Sequence, residues 1–122
     1  MSVGRGRGKT RPSGDPGVLI LTSLVAGAKH GYALARDIEE FAGVSLGPVT
    51  LYGAITRLEE RGLIESAGHD ERRRPYRLTP AGRAELTAEV RNLEVIVREA
   101  AQRLGIPAGG EYPGARGRGW AL

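Results

Sequence analysis

The sequence contains no cysteine, which excludes a disulfide scaffold, a thiolate metal site and a cysteine nucleophile, and suits a reducing compartment. Its two histidines, His30 and His69, have no second ligand at metal spacing; His30 reads as ordering the turn before Gly31 and His69 as a loop residue. No nucleophile, base and orienting group stand at recognisable spacing, so an enzyme is not expected, and no cofactor is indicated. Long apolar runs are missing too. The longest, Gly17 to Leu21 continuing through Thr22 and Ser23 to Ala26, is interrupted and about half the length that crosses a bilayer. The basic stretch Arg5 to Arg11 runs into Pro12, Ser13, Gly14, Asp15 and Pro16 rather than an apolar segment, so no secretion leader is expected and cytoplasmic residence is. With 122 residues, one domain with flexible ends is the expectation.

What is present is unevenly spread. Residues 1–14 carry Arg5, Arg7, Lys9 and Arg11 with no acid, a charge of +4. Residues 105–122 carry Arg116 and Arg118 against Glu111, and 15–104 hold 12 basic and 13 acidic residues, so the basic character lies in the ends. Glycine alternates with arginine and lysine at one end and crowds the other, and neither end has enough apolar surface to offset its ordering entropy.

Between them the pattern is helical. Asp15-Pro16 makes a helix start, followed by Pro16 to about Ala26, apolar on nearly every side and therefore core. After a break at Gly27 to Gly31, Leu34, Ile38 and Phe41 share one stripe, and Gly43 stops the helix. A short connection, Gly43 to Gly47, leads to Pro48, from which Leu51, Ala54, Ile55 and Leu58 form the inner face of a third helix ended by Gly62. Leu63-Ile64-Glu65 and Tyr76-Arg77-Leu78 read as two strands of a hairpin, with Tyr76 as strand core. The tip and returning arm carry Arg72, Arg73 and Arg74. Helix, turn, helix and basic wing spell a winged helix-turn-helix, mostly α with a small β-hairpin.

Thr79 and Pro80 then open a helix of about 25 residues, roughly 37 Å long, in which Leu86, Val90, Leu93, Val97, Ala100 and Leu104 keep an unbroken heptad seam. A seam longer than one small domain can cover is expected to pair with a second chain. The expected division is a disordered basic tail over 1–14, a winged helix-turn-helix DNA-binding unit over 15–79, a dimerisation helix over 80–105 and a disordered Gly/Arg-rich tail over 106–122.

Several segments in this order resemble the PadR family of transcriptional regulators, specifically its short-tailed members with one C-terminal helix. They are His30-Gly31-Tyr32, Pro48-Val49-Thr50-Leu51-Tyr52, Arg57 to Ile64, and Arg73-Arg74-Pro75-Tyr76-Arg77-Leu78-Thr79-Pro80-Ala81-Gly82, in a resemblance spanning about 90 of the 122 residues. The resemblance implies a homodimer, held by the last helix packing on its counterpart and on the first helix, and acting as a repressor at palindromic operators. It also implies that Tyr32 meets a phosphate through its hydroxyl, and that some relatives answer to a small aromatic or drug-like effector at the dimer interface, which no residue here marks out. This chain departs from the family where a serine usually precedes the proline of the recognition helix, with Gly47, and where a proline usually follows the tyrosine, with Gly53.

On this reading Pro48, Val49, Thr50, Tyr52, Gly53, Thr56 and Arg57 form the outer surface of a helix that fits the major groove of double-stranded DNA. Thr50 and Tyr52 donate and accept, Val49 touches a methyl group, Gly53 allows close approach, and Arg57 reaches a phosphate or a guanine edge. Arg72, Arg73 and Arg74 are long enough to follow the backbone or enter the adjacent minor groove, and they position more than they specify. Glu59, Glu60 and Glu65 should lie away from DNA. Plainer readings stand beside these: Tyr52 packing on the wing, heptad residues lining a ligand cavity, and tails that only solubilise. Two other functions fit as well. One is a winged-helix module that meets a protein; the other is a non-specific nucleic-acid binder acting through its Arg/Gly tails, which offer only Tyr112 and Trp120 for stacking.

Overall fold

The computed structural model describes residues 15–68 and 74–107. Arg72, Arg73, His69, the 1–14 tail and the C-terminal residues from 108, Tyr112 and Trp120 included, lie outside the described residues. The elements run α1 (Pro16–Val25), β1 (Lys29–His30), α2 (Gly31–Ala42), α3 (Pro48–Glu60), β2 (Ile64–Ser66), β3 (Pro75–Leu78) and α4 (Pro80–Leu104).

α1 is the hub of the fold. Asp15 Oδ1 accepts from the Val18 N–H at 3.0 Å and Pro16 occupies the first turn, so two of the sequence's start signals act together. Leu19, Ile20, Leu21 and Leu24 are buried, and the helix packs against α2, α3, α4 and β3, which is why its sequence is apolar on nearly every side. Leu34 and Ile38 of α2, and Leu51, Ala54, Ile55 and Leu58 of α3, complete one core with Leu63, Ile64, Tyr76 and Leu86. α2 ends at Gly43, whose φ of 70° is the left-handed conformation that glycine adopts without steric cost.

One polar network crosses this core. The Ser23 hydroxyl, almost fully buried, donates to Asp37 Oδ2 at 2.6 Å, and Lys29 Nζ donates to the Ser23 carbonyl at 2.6 Å. It ties the end of α1 to α2 and engages Lys29 with the protein. Asp37→Ala strips the serine of its acceptor and is expected to lower stability by about 1–2 kcal/mol in urea unfolding; an unchanged midpoint would show that the hydroxyl has another partner.

The sheet has three strands in the order β1-β3-β2, all antiparallel, where the sequence suggested only a hairpin. β2 pairs with β3 in the register Ile64↔Leu78, Glu65↔Arg77 and Ser66↔Tyr76, each strand lying one residue away from its expected edge. β1 adds Lys29↔Tyr76 and His30↔Pro75 on the other side of β3. A two-residue strand has no alternation to read; it exists because β3 passes beside it.

Thr79 joins the sheet to α4. Its Oγ1 accepts from the Gly82 N–H at 3.0 Å and donates to the Gly62 carbonyl at 2.7 Å, while its N–H donates to the Leu63 carbonyl at 3.1 Å. The first turn of α4 is thereby held so close to the start of β2 that a side chain at Gly82 would collide with the Leu63 carbonyl. α4 then runs to Leu104, where Gly105 at φ 79° closes it and the Ile106 N–H returns to the Ala101 carbonyl at 2.9 Å. Along its seam Leu86 is 8% exposed and Leu93 half-buried, whereas Val90, Val97, Ala100 and Leu104 are exposed, Leu104 at 74%. Among the described residues nothing covers the outer half of that seam.

Candidate nucleic-acid interface

α3 has two sides of different chemistry. Its inner side is sealed in the core, and its outer side presents Pro48, Val49, Thr50, Thr56 and Arg57 to solvent, with Val49 88% exposed. An isopropyl group so exposed at a helix tip contributes nothing to the fold and is free to touch a partner. Thr56 donates its hydroxyl to the Tyr52 carbonyl at 2.9 Å, which leaves its methyl group and an oxygen lone pair outward. Gly53 is half-buried, and the nearest atom to a Cβ placed there is Arg57 Nη1 at 3.6 Å, an ordinary contact.

Tyr52 is 48% exposed. The hydroxyl end of its ring rests on the first turn of α2, over the buried Gly31. Its phenol also lies close enough to Tyr76 to act on it electrostatically. Burial pushes the Tyr76 phenol above its ordinary range; the Arg74 guanidinium pulls it down, and Glu59 and Tyr52 push it further up. Tyr52 thus packs on α2 with part of its ring while the remainder stays exposed. Arg74 is exposed at the start of β3.

Tyr32 is 68% exposed. The Arg36 guanidinium lies 5.9 Å from its ring centroid, and Arg36 Nη1 donates to the Tyr32 hydroxyl at 3.4 Å, a bond that raises the guanidinium pKa further above its ordinary value. Arg36 is not among the site residues expected from the sequence. Its spacing of four from Tyr32 on a helix was the signal that would have found it.

α2 and α3 start at His30 and Gly47 with no side-chain cap, whereas α1 and α4 start under Asp15 and Thr79. The first N–H groups of these two helices therefore receive no bond from an N-cap side chain. Arg57 reaches back beside Gly53 on the outer face of α3 and also marks the edge of that face. It borders a cleft of about 270 Å³ between α1, α3 and α4, together with Arg61, Asp15, Glu85 and Glu89. Arg61 is bonded to Glu85 at 3.2 Å and Arg77 to Glu65 at 2.8 Å, so both of these cations have acidic partners. No group of three His, Cys, Asp or Glu side chains suited to a metal ion occurs among the described residues, and no helix among them is long and apolar enough to cross a membrane.

Known proteins resemble this chain in sequence and fold. The Transcriptional regulator PadR-like family matches residues 20–88, from α1 into the first turns of α4. Transcriptional regulator Rv3488 of Mycobacterium tuberculosis is 45% identical over 73 residues, which cover 57% of this chain and 67% of that protein. A 37.1 kDa protein in transposon TN4556 of Streptomyces fradiae is 43% identical over 79 residues, 65% of this chain; the chain spans 23% of that protein's length. The crystal structure of a PadR family transcription regulator from Clostridium difficile R20291 superposes with a TM-score of 0.67 at 28% identity, over 75% of this chain and 99% of that one. With the winged helix-turn-helix, the long last helix and a family match covering more than half its length, the chain belongs to the PadR-like family of transcriptional regulators.

Proposed function

We propose that the chain is a dimeric, sequence-specific DNA-binding repressor whose α3 enters the major groove while the wing arginines lie on the backbone. The observation that carries this reading is the outer face of α3. Its N-terminal half is uncharged and largely exposed, its acids Glu59 and Glu60 sit at the far end, and no N-cap side chain bonds its first turn. Such a cylinder meets base edges without bringing a carboxylate near phosphate. Thr50 and Tyr52 offer hydroxyl groups and Val49 a methyl contact for thymine. Tyr32 with Arg36, Arg57 and the triplet Arg72, Arg73 and Arg74 supply the contacts to phosphate, and the tails add charge without sequence information.

The uncovered seam of α4 supplies the second copy. Two chains zipped through Val90, Leu93, Val97, Ala100 and Leu104 would present two α3 helices about a two-fold axis, and the operator mirrors that symmetry as a palindrome. Occupying it excludes other proteins from the same stretch of duplex, which is repression.

Binding titrations at fixed salt test the division of labour. Arg73→Ala with Arg74→Ala is expected to weaken binding to a selected duplex and to random DNA about equally, and to make the dependence on salt shallower by roughly 0.9 per lost phosphate contact. Thr50→Ala is expected to cost the selected duplex about fivefold and random DNA nothing, the worth of one base-edge hydrogen bond at about 1 kcal/mol. If the double arginine variant bound both duplexes like the unaltered chain, the wing would have no place on the backbone.

A further inference from the structure

Gly31 opens α2 directly beneath a side chain of α3. A Cβ built at Gly31 collides with the Tyr52 hydroxyl and lies 2.7 Å from Cζ and 3.2 Å from Cε1. The phenol ring therefore occupies the space that a side chain at residue 31 would need. The backbone does not demand glycine here, for the glycines with positive φ are Gly27, Gly43, Gly62 and Gly105. What the missing side chain serves is the ring.

We infer that Gly31 is a positioning residue for DNA reading: it gives Tyr52 a flat seat on the first turn of α2, which fixes the direction of its hydroxyl before any duplex arrives. This rests on the function proposed above and deepens it. A tyrosine has two torsions to fix, and the seat settles them on folding, so that the encounter with DNA does not bear that entropy. Because Tyr32 follows Gly31 in the chain, a phosphate held at Tyr32 and a base read at Tyr52 are referred to the same turn of helix. Removing the seat would leave Tyr52 on the surface with its hydroxyl free to swing, so discrimination would suffer while backbone contacts persist.

The test is a double-substitution cycle. A duplex is selected from a random pool by the unaltered chain. Its affinity and that of a random duplex of equal length are then measured for the unaltered chain, Gly31→Ala, Tyr52→Ala and the two together, with unfolding midpoints alongside. Gly31→Ala is expected to lower discrimination about tenfold, to leave random-duplex affinity within about twofold, and to add nothing once Tyr52 is alanine. Should Gly31→Ala unfold the chain, the added Tyr52→Ala is expected to restore folding, because the ring is what the new methyl strikes. Undiminished discrimination in Gly31→Ala overturns the inference. So does an equal loss in the Tyr52→Ala background, or an unfolded double variant, since each would make Gly31 a packing residue unconnected to the ring. Failure of the unaltered chain to prefer any duplex would overturn the DNA reading itself, a result seen before any variant is made.

Discussion

Leu93→Asp is expected to split the proposed dimer into monomers, seen in sedimentation as half the mass of the unaltered chain. Leu93 lies at the middle of the heptad seam, seven residues beyond Leu86 and before the exposed Val97 and Leu104. In a two-fold pair the new carboxylate would face its own copy across an apolar interface. Burying one unpaired charge costs several kcal/mol, and two like charges facing each other cost more. Burial and the facing carboxylate raise the pKa of the aspartate in the paired state, so pairing should begin to return as the pH falls towards the ordinary range of an aspartate from above, and be complete below that range. The subunit's own fold should survive, because the core ends at Leu86 and Leu93 is only half-buried in the single chain. Circular dichroism separates the two effects, and an intact dimer would remove the seam as the interface. Affinity for a palindrome should fall steeply with the dimer, since one half-site then binds without the effective concentration the second supplied.

Gly82→Ala is the substitution expected to harm stability most for its size. In an exposed stretch of helix the same change would gain up to about 1 kcal/mol. Here the added methyl meets the carbonyl oxygen of Leu63 and lies 3.0 Å from both the carbonyl carbon and Leu78 Cδ1. Relief requires α4 to move outward, and that movement stretches the bonds through which Thr79 holds Gly82, Gly62 and Leu63. Overpacking of this kind costs about 1–3 kcal/mol, and in a domain of this size each kcal/mol lowers the melting temperature by about 4–8 °C. Gly53→Ala is the control. Its new methyl meets only the mobile end of Arg57, so thermal unfolding should rise slightly or stay level. A Gly82→Ala chain as stable as the unaltered one would refute the close approach.

Much of the architecture was written locally. Asp15-Pro16 and Thr79-Pro80 start helices where they were expected to, and Gly43 and Gly105 stop them with the left-handed backbone that glycine allows. The spacing of Leu51, Ala54, Ile55 and Leu58 marked the inner face of α3, and by exclusion its outer one. Other features had no local mark. The third strand, the bond between Ser23 and Asp37, the seat of Tyr52 on Gly31 and the placing of Arg57 beside the cleft join groups whose partnership shows only once the elements meet.

From the order of its residues alone, this chain's helices, their ends, their buried sides and the family resemblance could be stated, because capping and periodicity act over three or four positions, where the backbone itself sets the geometry. Only the folded molecule decided that Gly31 and Gly82 are spacers, and which cations on different elements keep an acidic partner. Those outcomes depend on distances between atoms many residues apart, and packing sets such distances where no spacing along the chain does.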